Sequence, residues 1–219
     1  MRKVFIILMV LVFGVSAFAG ENCDCENGFQ KRMEIPYENI ALSGYAYIEG
    51  DTGYLKLYSG FRQSDAANLW QDLEAFKARG IKKVKLYINS PGGSATDGMA
   101  MANILESFIV SGGNVEAKAY GRVASSAVPI FAVCNKRIAQ KSTLFMIHPA
   151  KLSKYGYLSE ELKDLDAQRQ MMSLIKNNYL AKLASYTKLS IDEWEAKEKE
   201  TTYFDAQKAK EWGLVDSIE

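Results

Sequence analysis

The chain has 219 residues, 48% of them hydrophobic and 24% charged, which fits a globular core and excludes a disordered or disulfide-dense chain. Its formal net charge of +1 leaves no basic footprint for nucleic acid. His148 is the single histidine, which excludes metal sites built from several imidazoles.

Residues 1–19 read as a secretory signal. Arg2 and Lys3 form a positive start, VFIILMVLVFGV follows as an apolar run, and Ala17-Phe18-Ala19 offers small residues for cleavage. The run is shorter than the roughly 20 residues that span a bilayer. Export to the periplasm or the exterior is therefore expected, with an uncleaved membrane tether as the alternative. Cleavage would remove Arg2 and Lys3 and lower the formal charge by two, from +1 to −1. Residues 20–38 read as a polar, flexible lead-in, and 39–219 as the folded domain. Cys23 and Cys25 lie too close in sequence to bridge one another well, and with Cys134 they are too few for a metal site. Neither a metal nor a cofactor is expected.

The remaining chain alternates strands and helices. ALSGYAYIEG (41–50) and YLKLYSG (54–60) read as strands around the turn Gly50-Asp51-Thr52-Gly53. Ser64 is placed to cap a helix, DAANLWQDLEAFKAR, that ends at Gly80. KKVKLYIN (82–89) is a strand that runs into the glycine loop PGGS, and a helix over roughly 96–111 closes at Gly112-Gly113. VEAKAY (115–120) is the next strand, followed by the small-residue run GRVASSAVPIFAV and the short strands KRIAQ and TLFMIH. Residues 158–187 carry the 3.6-residue period of a long helix, with Leu162, Leu165, Met171, Leu174 and Ile175 at apolar positions. A second helix begins near Ser190, with Asp192 and Glu193 in its first turn. AQKAKEWGLVDSI gives a short helix, a glycine stop and an edge strand. This alternation predicts an α/β fold whose helices cover a largely parallel sheet.

Three places in this pattern have chemical potential. Gly92-Gly93, at a strand-to-helix junction, either is plain turn chemistry or presents bare N–H groups to an anion. Ser125-Ser126, before an apolar helix, either allows close helix packing or projects a hydroxyl beside an oxyanion donor. His148 is either structural or the one imidazole available for base catalysis.

Together these pieces resemble the ClpP family, the proteolytic subunit of Clp proteases. The matching residues are YINSPGG at 87–93 with Gly98 and Met99 beyond, GRVASSA at 121–127, MIHP at 146–149 and EWGLVDSI at 211–218. The likeness runs from about residue 40 to the C-terminus. It implies a ClpP/crotonase-like α/β fold with a protruding long helix near 158–187, through which family members assemble into heptameric rings. It also implies a serine endopeptidase acting on peptides or unfolded proteins. By the resemblance Ser125 is the nucleophile, His148 the general base, and the N–H groups of Gly93 and Ser126 the oxyanion donors.

The chain also departs from the family. Counting back from GLVDSI, the triad aspartate falls on Thr201, which cannot carry a charge. Loss of such an acid lowered kcat about 10⁴-fold in a serine protease. Glu198, Glu200 or Asp205 could substitute, or a Ser–His dyad could suffice. Ser126 replaces the family's usual methionine, and Pro149 directly follows the histidine. An exported relative would meet neither ATP nor a Clp ATPase, so ATP-independent action is expected. The alternatives are a catalytically impaired scaffold or peptide-binding protein, a crotonase-type acyl-CoA enzyme, and a Ser–Lys peptidase using Lys151.

Overall fold

The computed structural model describes residues 40–151 and 162–219. The predicted signal and lead-in lie outside the described residues, as does the start of the predicted long helix. Among the described residues, eight strands join one sheet. β1 (Ala46–Glu49) and β2 (Thr52–Leu57) form a hairpin, and its turn is tighter than expected, because Glu49 pairs directly with Thr52. β2, β3 (Lys83–Ser90) and β4 (Asn114–Ala124) then run parallel.

Strand alternation divides the sheet into two faces. In β3, Val84, Leu86 and Ile88 are buried while Lys83 and Lys85 are exposed. The buried set packs against Leu69, Leu73 and Phe76 of α1 (Gln63–Ala78) and Met101, Leu105 and Phe108 of α2 (Ala95–Val110). The opposite face carries Tyr47, Tyr54, Tyr87 and Tyr120, whose rings follow one another across four strands at 4.5, 6.4 and 5.9 Å. α1 starts one residue before Ser64; the Asp65 carboxylate accepts the Arg62 N–H at 2.8 Å, which satisfies a free donor at the helix start.

β4 runs four residues beyond the predicted strand. Gly121, with φ +70°, reads as a strand end in sequence but serves as a bulge. There the Asn89 side chain stands in for a missing ladder partner and accepts the Arg122 N–H at 3.0 Å. β4 also has two neighbours on one side. Its first half pairs with β5 (Lys136–Ala139), and its last residues pair with β6 (Leu144–Ile147). β6 pairs in turn with β7 (Thr202–Asp205), an antiparallel strand that the sequence reading did not include.

The other helices are α3 (Ala127–Ala132), α4 (Leu162–Tyr186), α5 (Ile191–Glu198) and α6 (Ala206–Glu211). Ser190 caps α5 as predicted, and its side chain accepts the Glu193 N–H. β8 (Ser217–Ile218) adds to β5 at the sheet edge. Asp216 fixes this end by accepting from the Arg137 N–H and from its guanidinium at 2.6 Å. In α4 the C-terminal half packs through Leu180 and Leu183, and Lys182 joins Glu106 of α2 at 2.6 Å. Leu165, Met171 and Leu174, predicted as an apolar stripe, remain exposed at 44%, 44% and 56%.

Candidate functional site

The C-terminal ends of parallel strands are where open α/β sheets place their ligands. β3 ends in the glycine loop, and the adjacent β4 ends at Ser125. Ser90 braces the loop: its hydroxyl donates to the Ser59 carbonyl at 2.6 Å and accepts the Gly92 N–H at 3.1 Å. Gly92 has φ +84°, and a Cβ there would lie 2.5 Å from the Ala124 carbonyl oxygen and 2.8 Å from the Ser125 Cβ. A Cβ on Gly93 would lie 2.3 Å from the Phe61 nitrogen. The glycines thus let the loop lie directly against the serine turn.

Ser125 has φ +55°, the one left-handed non-glycine residue among those described. The surrounding chain enforces it. The Ser125 N–H donates to the Met146 carbonyl of β6 at 2.7 Å, and its carbonyl accepts from Val128 N–H at 3.0 Å and from the Tyr179 hydroxyl at 3.3 Å. A sharp strand-to-helix turn of this kind brings a serine side chain to the end of the sheet. Among the described residues, neither the Gly93 N–H nor the Ser126 N–H is used by another main-chain group. Both remain available to an oxyanion.

His148 follows β6 directly and is half-buried. Its Nδ1 lies 2.7 Å from the Pro149 carbonyl oxygen. A carbonyl only accepts, so Nδ1 carries a proton, and in the neutral ring Nε2 is then the lone-pair nitrogen that a general base requires. Ser125 and His148 line two adjoining cavities. One is an open groove of about 1150 Å³, bounded by the glycine loop and by Met171, Met172 and Ile175 of α4. Lys151 also lines it. The other is a small, narrow recess that reaches Ser126, Tyr179 and Glu198.

The structure separates the four residues considered for the third position. Thr201 and Glu200 are exposed and line neither cavity. Asp205 is exposed and caps α6, accepting the Lys208 N–H at 2.8 Å. Glu198, the last residue of α5, is 5% exposed and lines the recess. Burial pushes its carboxyl above the usual range; Lys176 opposes this, Glu195 adds to it, and the Ala150 N–H and His148 oppose it further. The family register therefore points to Thr201, whereas the carboxylate beside the cavity belongs to Glu198, one helical turn earlier. Two participants were missed in the sequence. The Pro149 carbonyl holds the imidazole, and Tyr179 supports the serine turn. The spacing Ile175, Tyr179, Leu183 along one helix face was the available signal for Tyr179.

Among the described residues, no group of three histidine, cysteine or acidic side chains is placed to hold a metal ion. The Clp protease family model matches residues 51–219. The chain is 32% identical over 139 residues to an ATP-dependent Clp protease proteolytic subunit from Cyanophora paradoxa, covering 63% of this chain and 68% of that one. It is 31% identical, over 63% of this chain and 66% of the other, to proteolytic subunit 2 from Mycolicibacterium paratuberculosis. In structure it is similar to a point mutant of ClpP1 from Listeria monocytogenes, with a TM-score of 0.67 and 18% identity, covering 76% of this chain and 90% of that chain. The chain belongs to the Clp protease family, and it has the family's mixed α/β fold with helices flanking the sheet.

Proposed function

We propose that this chain is a serine endopeptidase in which Ser125 and His148 act as a dyad. The observation that carries the reading is Ser125 in its enforced left-handed turn, sharing a groove with an imidazole whose Nδ1 donates to the Pro149 carbonyl. His148 takes the Ser125 proton as the hydroxyl attacks a peptide carbonyl, and later gives it to the leaving amine. The N–H groups of Gly93 and Ser126 receive the developing negative charge; losing one such donor costs about 2.7–4 kcal/mol in the transition state. The Pro149 carbonyl orients the ring, in the place where a triad acid would stand.

The groove suits an extended peptide or an unfolded segment, laid between the glycine loop and α4. The uncovered apolar residues of α4 support a homo-oligomer, in keeping with the rings expected from the resemblance. The signal-like residues 1–19 support export or tethering, and with it action without an ATPase. No helix among the described residues is long and apolar enough to cross a membrane.

The test is intact-mass labelling with a fluorophosphonate. A single adduct on the wild type, absent from Ser125→Ala, is the expected result. A folded wild type that takes no adduct would favour the second reading, a peptide-binding scaffold. The exposed Thr201, with no carboxylate bonded to His148 among the described residues, is the observation that supports that reading.

A further inference from the structure

Glu198 is the one acidic group of the recess, and the dyad chemistry does not use it. It is buried, and among the described residues it forms no ion pair. Burial outweighs what the Ala150 N–H and the nearby Lys176 return to the carboxylate, so a cation brought into contact with it would be favoured. The cation on the recess wall is already engaged: Lys176 Nζ lies 2.7 Å from the Glu195 carboxylate. That pair is neutral, so the remaining acidic group of the recess is Glu198.

A second observation is independent of the first. The Ser126 hydroxyl, in a residue 4% exposed, has no hydrogen-bond partner among the described residues. Two polar groups without full partners thus line one recess, which opens beside Ser125. Its other walls include Ala95 and Ile175, which are apolar. A long cationic side chain satisfies this combination, with its stem along the apolar wall and its head on the carboxylate.

Resting on the peptidase reading, we propose that the recess is a specificity site for lysine or arginine. Glu198 receives the side chain of the residue whose carbonyl Ser125 attacks, and the Ser126 hydroxyl adds a hydrogen bond at the same end. The role is one of selection: His148 keeps its Pro149 partner, and the transfer of the proton does not pass through Glu198.

The experiment uses the full chain and peptidyl-aminocoumarin substrates that differ only in the last residue: lysine, arginine, leucine or glutamate. The basic substrates should show the highest kcat/KM. Glu198→Gln should lower them about 100-fold, the scale of removing one member of a buried charge pair, while the leucine substrate changes by less than about threefold. Glu198→Gln should also melt no lower than the wild type, since burial disfavours the charge that it removes. An equal fall for all four substrates, with an altered pH profile, would overturn the proposal and make Glu198 a positioning residue for His148. A wild type that prefers leucine would overturn it too.

A binding measurement separates this proposal from the peptidase reading. In Ser125→Ala, a labelled peptide ending in lysine should bind at least about tenfold more tightly than its norleucine counterpart, and Glu198→Gln should abolish the difference. A protein that discriminates in this way yet never takes a fluorophosphonate would keep the recess and lose the peptidase. Equal binding of the two peptides would remove the recess.

Discussion

Ser125 sits in a turn held from several elements at once: its N–H by β6, its carbonyl by α3 and the Tyr179 hydroxyl of α4, its Cβ pressed by Gly92. Among the described residues, the His148 ring is held by one hydrogen bond, to the carbonyl of the next residue. A left-handed serine costs on the order of 1–3 kcal/mol and persists only where its surroundings over-determine it. An imidazole that must accept a proton from one atom and deliver it to another gains from a looser hold. The nucleophile is pre-set and the base can adjust.

Three measurements would break or sharpen this contrast. The largest effect belongs to Gly92→Ala, since the added methyl meets main-chain atoms that cannot retreat. It should destabilise the fold by about 3 kcal/mol in urea unfolding and slow fluorophosphonate labelling about 100-fold or more. Labelling within tenfold of the wild type would show that the turn is not rigidly set.

The second measurement follows the lysine-to-leucine ratio of kcat/KM against pH. Burial raises the Glu198 carboxyl; Lys176 from α4, the Ala150 N–H and His148 act against this, and Glu195 on the same helix adds to it. Recognition requires the ionised form, so the ratio is full above the raised pKa and falls as pH drops through it. The fall should begin at a higher pH than for an ordinary surface carboxylate. A change in the rate of the shared chemical step acts on both substrates alike and cancels in the ratio. A ratio unchanged down to about pH 4, near the ordinary Glu value, would contradict the assignment.

Thr201→Asp should have the smallest effect, less than about threefold on the labelling rate, because the residue is exposed and lines neither cavity. A gain of tenfold or more would mean that this segment reaches the imidazole.

Much of the fold could be read from the sequence where a period was long and its ends were marked. KVKLYINS alternates cleanly, and Ser190 with Glu193 forms the capping box that opens α5. The failures have physical causes. Gly121 looks like a strand end because the ladder there is completed from a side chain, with the Arg122 N–H donating to Asn89, 33 residues away. β7 is four residues long and is defined by its pairing with β6, which no local pattern announces. The stripe on α4 predicted a helix correctly, yet periodicity says only that a face is apolar, and not what covers it. Ser125, His148 and the glycine loop could be singled out by residue type and joined by resemblance. Glu198 could be offered only as a neighbour of Thr201, because the turn at which a helix ends decides which carboxylate faces inward.

β6 lies between β4 and β7 in the sheet. Ser125 leaves the end of the first, His148 the end of the second, and the α5–β7 junction that carries Glu198 leads into the third. Neighbouring strands lie about 4.8 Å apart, a distance written in main-chain hydrogen bonds. The site is thus spaced by a ruler that side-chain substitution does not touch. The letters of the core can be rewritten while nucleophile, base and selecting carboxylate keep their order.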